Sequence, residues 1–163
     1  VWMTVVYAAV ASSLHTALLR PWGYLPSIRQ ALQSLSSSPR HEDNYLYACT
    51  APDDRILISG PTPFAVAYNT QRGMAGGHLY WSSSWASDPV YAARSLSLLQ
   101  RQSVPFAVSS GGRALDQFNH YPAIQEYLQS GYVEVPGTGG TILVDAKRPP
   151  TRRFGPGNWP CFR

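Results

Sequence analysis

The run Arg55-Ile56-Leu57-Ile58-Ser59 constrains the fold of this chain more than any other stretch. It follows a polar turn at Pro52-Asp53-Asp54 and stops at Gly60-Pro61-Thr62-Pro63. A short β-branched apolar run bounded by turn residues reads as a strand. Thr62 then stands where a helix N-cap would, and Pro63 fits the first helical position, so residues 64–69 are expected to form a short helix. Strand, turn and helix together open an α/β layer.

The same alternation continues downstream. Ser87-Asp88-Pro89 is a helix start, with Val90, Ala93, Leu96 and Leu99 as the stripe expected to face a sheet and Arg94 and Arg101 turned to solvent. Residues 104–109 form the next expected strand, with Pro105 near its start, and it ends in Ser110-Gly111-Gly112. Tyr121-Pro122 begins a helix whose apolar side is Ala123, Ile124, Tyr127 and Leu128, stopped at Gly131. Residues 132–135 and 141–145 read as a hairpin around the glycines of 137–140. Strands alternating with helices predict an α/β fold of two or three layers, its small sheet mainly parallel and closed by a C-terminal antiparallel hairpin.

Before this domain the chain has a different character. Residues 1–19 contain no Asp, Glu, Lys or Arg. That is close to the roughly 20 apolar residues that cross a bilayer as a helix, and Trp2, Trp22 and Tyr24 flank it as an aromatic belt would. A transmembrane helix over 1–22 is therefore expected, a core helix being the other reading of the same pattern. A cleaved signal peptide is excluded because the basic start and small-residue cleavage site are missing. Ile28, Ala31, Leu32 and Leu35 suggest a helix, Ser36-Ser37-Ser38-Pro39 ends it, and residues up to 44 read as a linker. Residues 45–146 are the expected α/β domain, entered through the last turn of a helix at Tyr45-Leu46-Tyr47. Residues 147–163 are a basic Pro/Gly-rich tail.

The chain carries a net charge of +4 over 163 residues. Its distribution matters more than its sum: no acid follows Asp145, while Lys147, Arg148, Arg152, Arg153 and Arg163 do. A basic tail suits phosphate or anionic lipid headgroups, or is simply a solvated end. Nucleic acid is excluded as a partner because no zinc spacing, RNA-binding signature or recognition helix accompanies the charge. Cys49 and Cys161 are the only cysteines. In an oxidising compartment they could join; elsewhere they would be two structural thiols.

Two glycine-rich turns are the ligand-binding candidates. In Arg72-Gly73-Met74-Ala75-Gly76-Gly77-His78, Gly76 and Gly77 permit close backbone approach, and Arg72 and His78 could offer a cation and an imidazole to a phosphate or sugar. Alternatively the glycines only lead into a strand at 79–81, with Arg72 paired to Asp53 or Asp54. Gly111 and Gly112 follow the second strand as Gly60 follows the first, at the carboxyl edge where open α/β sheets bind ligands, and the two turns could share one rim. The turn at 60–63 loses amide donors at Pro61 and Pro63 and lacks Gly-x-Gly-x-x-Gly, which argues against a nucleotide. His15, His41, His78 and His120 are too scattered for a metal. No cofactor and no catalytic residue is expected from this sequence.

Cys49-Thr50, Pro52-Asp53-Asp54-Arg55, Pro63, Arg72-Gly73-x-Ala75-Gly76-Gly77, Gln102-Ser103-Val104-Pro105, Tyr121-Pro122 and Tyr127-Leu128 occur in an order that resembles the C-terminal soluble domain of bacterial polytopic membrane glycosyltransferases. These are relatives of protein mannosyltransferases that use polyprenyl-phosphate sugars. The resemblance covers about residues 45–145, with the preceding apolar run matching a final membrane helix. It implies an extracytoplasmic, non-catalytic accessory domain that positions acceptor or lipid phosphate, the remainder of the same membrane protein being its partner. The family's catalytic carboxylate and donor site lie in regions outside this sequence, which begins at Val1 and is read as part of a longer protein. Arg20, Arg29 and Arg40, with no acid before Glu42, would by the positive-inside tendency favour the cytoplasm instead. A membrane-tethered binding or scaffold module without glycosyl transfer is the competing expectation.

Overall fold

The computed structural model describes residues 41–163 except Leu79 and Ser87. These belong to one compact unit, Pro39–Arg163. The expected transmembrane segment and the helix near residue 28 lie outside the described residues. Among those described, no helix is long and apolar enough to cross a membrane.

Helix α1 (His41–Cys49) leads into β1 (Arg55–Ser59), α2 (Pro63–Thr70) and the short β2 (Gly73–Met74). A single turn α3 (Ser83–Ala86) and the longer α4 (Pro89–Arg101) carry the chain to β3 (Phe106–Ser109). A 3-10 turn (Leu115–Phe118), α5 (Pro122–Gly131), β4 (Tyr132–Glu134) and β5 (Ile142–Asp145) follow, then β6 (Arg152–Phe154) and β7 (Trp159–Cys161). The main sheet has the order β2-β1-β3-β5-β4. β1 pairs in parallel with β2 and β3, and β5 is antiparallel to both β3 and β4. The expected α/β fold, mostly parallel with an antiparallel hairpin, is what forms.

Its layers follow from strand alternation, since successive side chains of a strand leave by opposite faces. Ile56, Ile58, Phe106, Val108, Ile142 and Val144 form one core with Tyr45, Leu46 and Cys49 of α1 and Val66 of α2. Leu57, Ala107 and Leu143 meet Leu99 of α4, Phe118, and Ile124 and Leu128 of α5 in the other. The arrangement has three layers. Each fully buried Leu, Ile or Phe contributes on the order of 2 kcal/mol by leaving water, so the strands are held by packing on both faces.

Helix starts are set locally. Asp88 accepts bonds from the Val90 and Tyr91 amides, with Pro89 in the first turn. At α2 the Thr62 side chain makes no cap bond, and its amide instead donates to Ser110 Oγ.

Several expectations are corrected. Residues 41–44, read as linker, are the first turn of α1, with Glu42 and Asp43 at its N-terminal end where the helix dipole favours acids. The second edge strand is Gly73–Met74, and Tyr80 and Trp81 are not in a strand: Ala75 still bonds to the Ile56 carbonyl, then Gly76 and Gly77, both at φ 77°, lead the backbone away. The inward face of α4 carries Ser95 and Leu99, while Val90 is 75% exposed and Ala93 also faces out. Ser95 is tolerated inside because its hydroxyl donates to the Tyr91 carbonyl and meets His78.

The basic Pro/Gly-rich tail forms an antiparallel hairpin, β6 with β7. Cys161 is joined to Cys49. Phe162 donates its amide to the Cys49 carbonyl and packs on Phe106, and Trp159 Nε1 donates to the Pro136 carbonyl. Arg148 reaches Asp54, and Arg152 donates to the Ala48 and Arg163 carbonyls, so two of the tail's cations serve the fold.

Candidate functional site at the carboxyl edge of the sheet

β1 and β3 are adjacent parallel strands whose onward connections separate: the chain after β1 passes to α2 on one face, and the chain after β3 passes to α5 on the other. Where neighbouring connections diverge in this way, a crevice opens outside the carboxyl ends of the strands. At the same edge of the sheet a cavity of about 150 Å³ opens beside β3 and β5, against α1 and α2, and is lined by Glu42, Asp43, Val66, Val108, Ser109, Ser110, Gly111, Gly112, Thr141 and Ile142.

The two turns of the rim are in direct contact. Ser110 donates its amide to the Ser59 carbonyl and accepts the Thr62 amide on Oγ. Gly60, at φ 93°, has no room for a side chain: a Cβ there would lie 2.7 Å from Ser110 Oγ. Gly111 is held by Ser109, whose Oγ accepts its amide and donates to its carbonyl, and by Gln117 Nε2 on that same carbonyl. Asp43 is 4% exposed and accepts from Asn69 Nδ2 at 2.8 Å. Among the described residues, no Lys, Arg or His lines the crevice. Its character is acceptor-rich: two carboxylates and three hydroxyl oxygens over an apolar floor of Val66, Val108 and Ile142.

The other sequence candidates lie elsewhere. Gly76, Gly77 and His78 border a second cavity of about 210 Å³ with Tyr91, Arg94 and Leu98, beside α4 on the opposite face of the sheet. A Cβ on Gly76 would meet Trp81 at 3.0 Å, and one on Gly77 would meet Leu98 Cδ1 at 2.7 Å. The close approach these glycines permit is to the protein's own side chains. His78 contacts Ser95 Oγ through Nε2 and the Tyr91 hydroxyl through Nδ1. Because Ser95 gives its proton to the Tyr91 carbonyl, Nε2 is the donating nitrogen and Nδ1 the acceptor. Burial, then the positive charge of Arg94, pushes the imidazole below its ordinary pKa, which keeps it neutral.

Arg72 is in neither cavity. It is 8% exposed and donates through Nε to Thr50 Oγ1 and through Nη2 to the Thr50 and Tyr47 carbonyls. Its guanidinium lies 5.4 Å from the Tyr47 ring centre. It pairs with neither Asp53 nor Asp54. Asp54 instead takes Arg148, Ser103 and the Ala51 amide. Burial alone would raise that carboxyl, but these bonds outweigh it and hold its pKa below the usual range.

Of the six candidates, then, Gly111 and Gly112 belong to the rim crevice, Gly76, Gly77 and His78 to the second cavity, and Arg72 to the scaffold. Sequence reasoning passed over Glu42 and Asp43 by placing them in a linker. Two acids shortly after Pro39 are a first-turn helix signal that would have found them. Compared with family models, curated proteins and solved structures, the chain has no match.

Proposed function

We propose that this chain is the extracytoplasmic, non-catalytic accessory domain of a membrane glycosyltransferase that takes sugar from a polyprenyl-phosphate donor, and that it positions the acceptor. The observation that carries this reading is how the residues of the resemblance relate in space. Thr50 is bonded to Arg72, Asp54 to Ser103, and Gln102 to the Gly76 amide. Short motifs spread over about residues 45–145 are thus joined within one scaffold. The Cys49–Cys161 bond supports an oxidising location.

A fusion of a reporter that matures only outside the cytoplasm, placed after Arg163 of the complete protein, tests the placement. An active reporter is expected; a reporter active only in its cytoplasmic form overturns the reading. Reading the sequence before Val1 tests the chemistry, which requires further apolar spans and an acidic residue in the loop after the first. A single span or none would overturn it.

A further inference from the structure

We propose that the cleft between the outer margin of the main sheet and the C-terminal hairpin binds a medium-chain carboxylate, its chain on the sheet and its head on Arg153. This site shares no residue with the rim crevice, and it stands independently of the accessory role proposed above.

Two strand alternations build the cleft. In the main sheet Val133 pairs with Val144 across the β4–β5 ladder, and Val135 lies two residues on, so all three leave by the face that α1 and α2 cover further along the sheet. Over β4 that cover stops, and Val133 is 51% exposed. In the hairpin Arg153 pairs with Pro160, with Phe162 two residues on, and these form the opposing wall. Trp159 fastens the hairpin to the Pro136 carbonyl at one end. The space between is about 320 Å³, equivalent to roughly ten waters of liquid.

Charge then selects the ligand. Glu134 and Asp145 border the cleft, but the same alternation turns their side chains to the other face, with Leu143 and Tyr132, where Glu134 meets Arg113. Arg148 is already held by Asp54 and Ser103. Among the described residues no acid pairs with Arg153, whose guanidinium gives one N–H, from Nη1, to the Asn158 carbonyl. A guanidinium with donors to spare beside a valine floor calls for an anion on an apolar body. A carboxylate brings one planar charge for that one fork. A phosphate monoester carries about −1.5 to −2 at neutral pH and would leave part of its charge uncompensated. A space of roughly ten small atoms holds a carboxyl group and a chain of about eight carbons.

Titrating the isotopically labelled 163-residue chain with octanoate, n-octanol, octyl phosphate and acetate, each separately, tests the assignment by amide chemical shifts. Octanoate is expected to shift Val133, Val144, Arg153 and Phe162 with millimolar affinity. The neutral alcohol should bind the same residues about tenfold more weakly for want of the charged hydrogen bond, and acetate, which has no chain, should leave them unmoved. Arg153→Gln is expected to weaken octanoate about tenfold and leave n-octanol unchanged. It removes one bond within the hairpin turn, so the fold should hold. Val133→Thr, on the sheet side, is expected to weaken octanoate and n-octanol alike, by about threefold. Absence of cleft shifts with octanoate would overturn the inference, as would n-octanol binding as tightly as octanoate or octanoate affinity unchanged in either variant. Tighter binding of octyl phosphate than of octanoate would overturn the choice of a carboxylate.

Discussion

The two glycine-rich turns began as equals in sequence and finish with different tasks. After β2, Gly76 and Gly77 are pressed against Trp81 and Leu98, and His78 is bonded through both nitrogens. After β3, a Cβ on Gly112 would meet, among the described residues, only Gln117 Nε2, at 3.6 Å, and Gly112 lines a crevice. Glycine in the first turn makes room for the protein, and in the second it leaves room for something else. The difference lies in which neighbours the fold brings, not in the turn residues.

Arg72→Ala should break the first turn most severely. It strips a buried cation from Thr50 and Tyr47 and leaves their acceptors unpaired, with an expected loss of about 3 kcal/mol in urea unfolding. A variant as stable as the parent would return Arg72 to the ligand-binding candidates.

The glycines sharpen the contrast directly. Gly77→Ala combines a left-handed backbone with a clash at Leu98 and should cost about 2–3 kcal/mol, whereas Gly112→Ala, with the same backbone sign but open space, should cost about 1 kcal/mol. Equal losses would erase the distinction between a filled turn and an open one.

The smallest effect is one of pH. His78 has a folded pKa below its ordinary 6.5, so the unfolded chain binds this proton more readily. Its contribution to stability is complete above about pH 6.5 and declines as pH falls toward the folded value. Melting temperatures between pH 5 and 7.5 should show this slope, and His78→Asn should flatten it. A slope that survives the substitution belongs to another group.

Much of the architecture was legible because its signals are local. The β-branched run of β1, the Asp88 cap, Pro122 at the start of α5 and the glycines between β4 and β5 each act within a few residues. β2 was not legible: its two residues have no pattern of their own and become a strand by pairing with Arg55 and Ile56. The face of α4 was misread because hydrophobicity favoured Val90 and Ala93, whereas a hydrogen bond to His78 lets Ser95 turn inward. At the rim, Gly111 and Gly112 could be found from sequence, but Glu42 and Asp43 reach the same crevice only through the docking of α1 beside α2.

The bond between Cys49 and Cys161 also governs how the domain is suspended. It links the last residue of α1 to the last residue of β7, with Cα atoms 4.5 Å apart. The 112-residue separation between the cysteines therefore becomes a closed loop. Tension applied along the chain beyond either cysteine passes across the sulfur bridge and bypasses the strands between them. A single cut within the loop would leave both pieces in one covalent molecule.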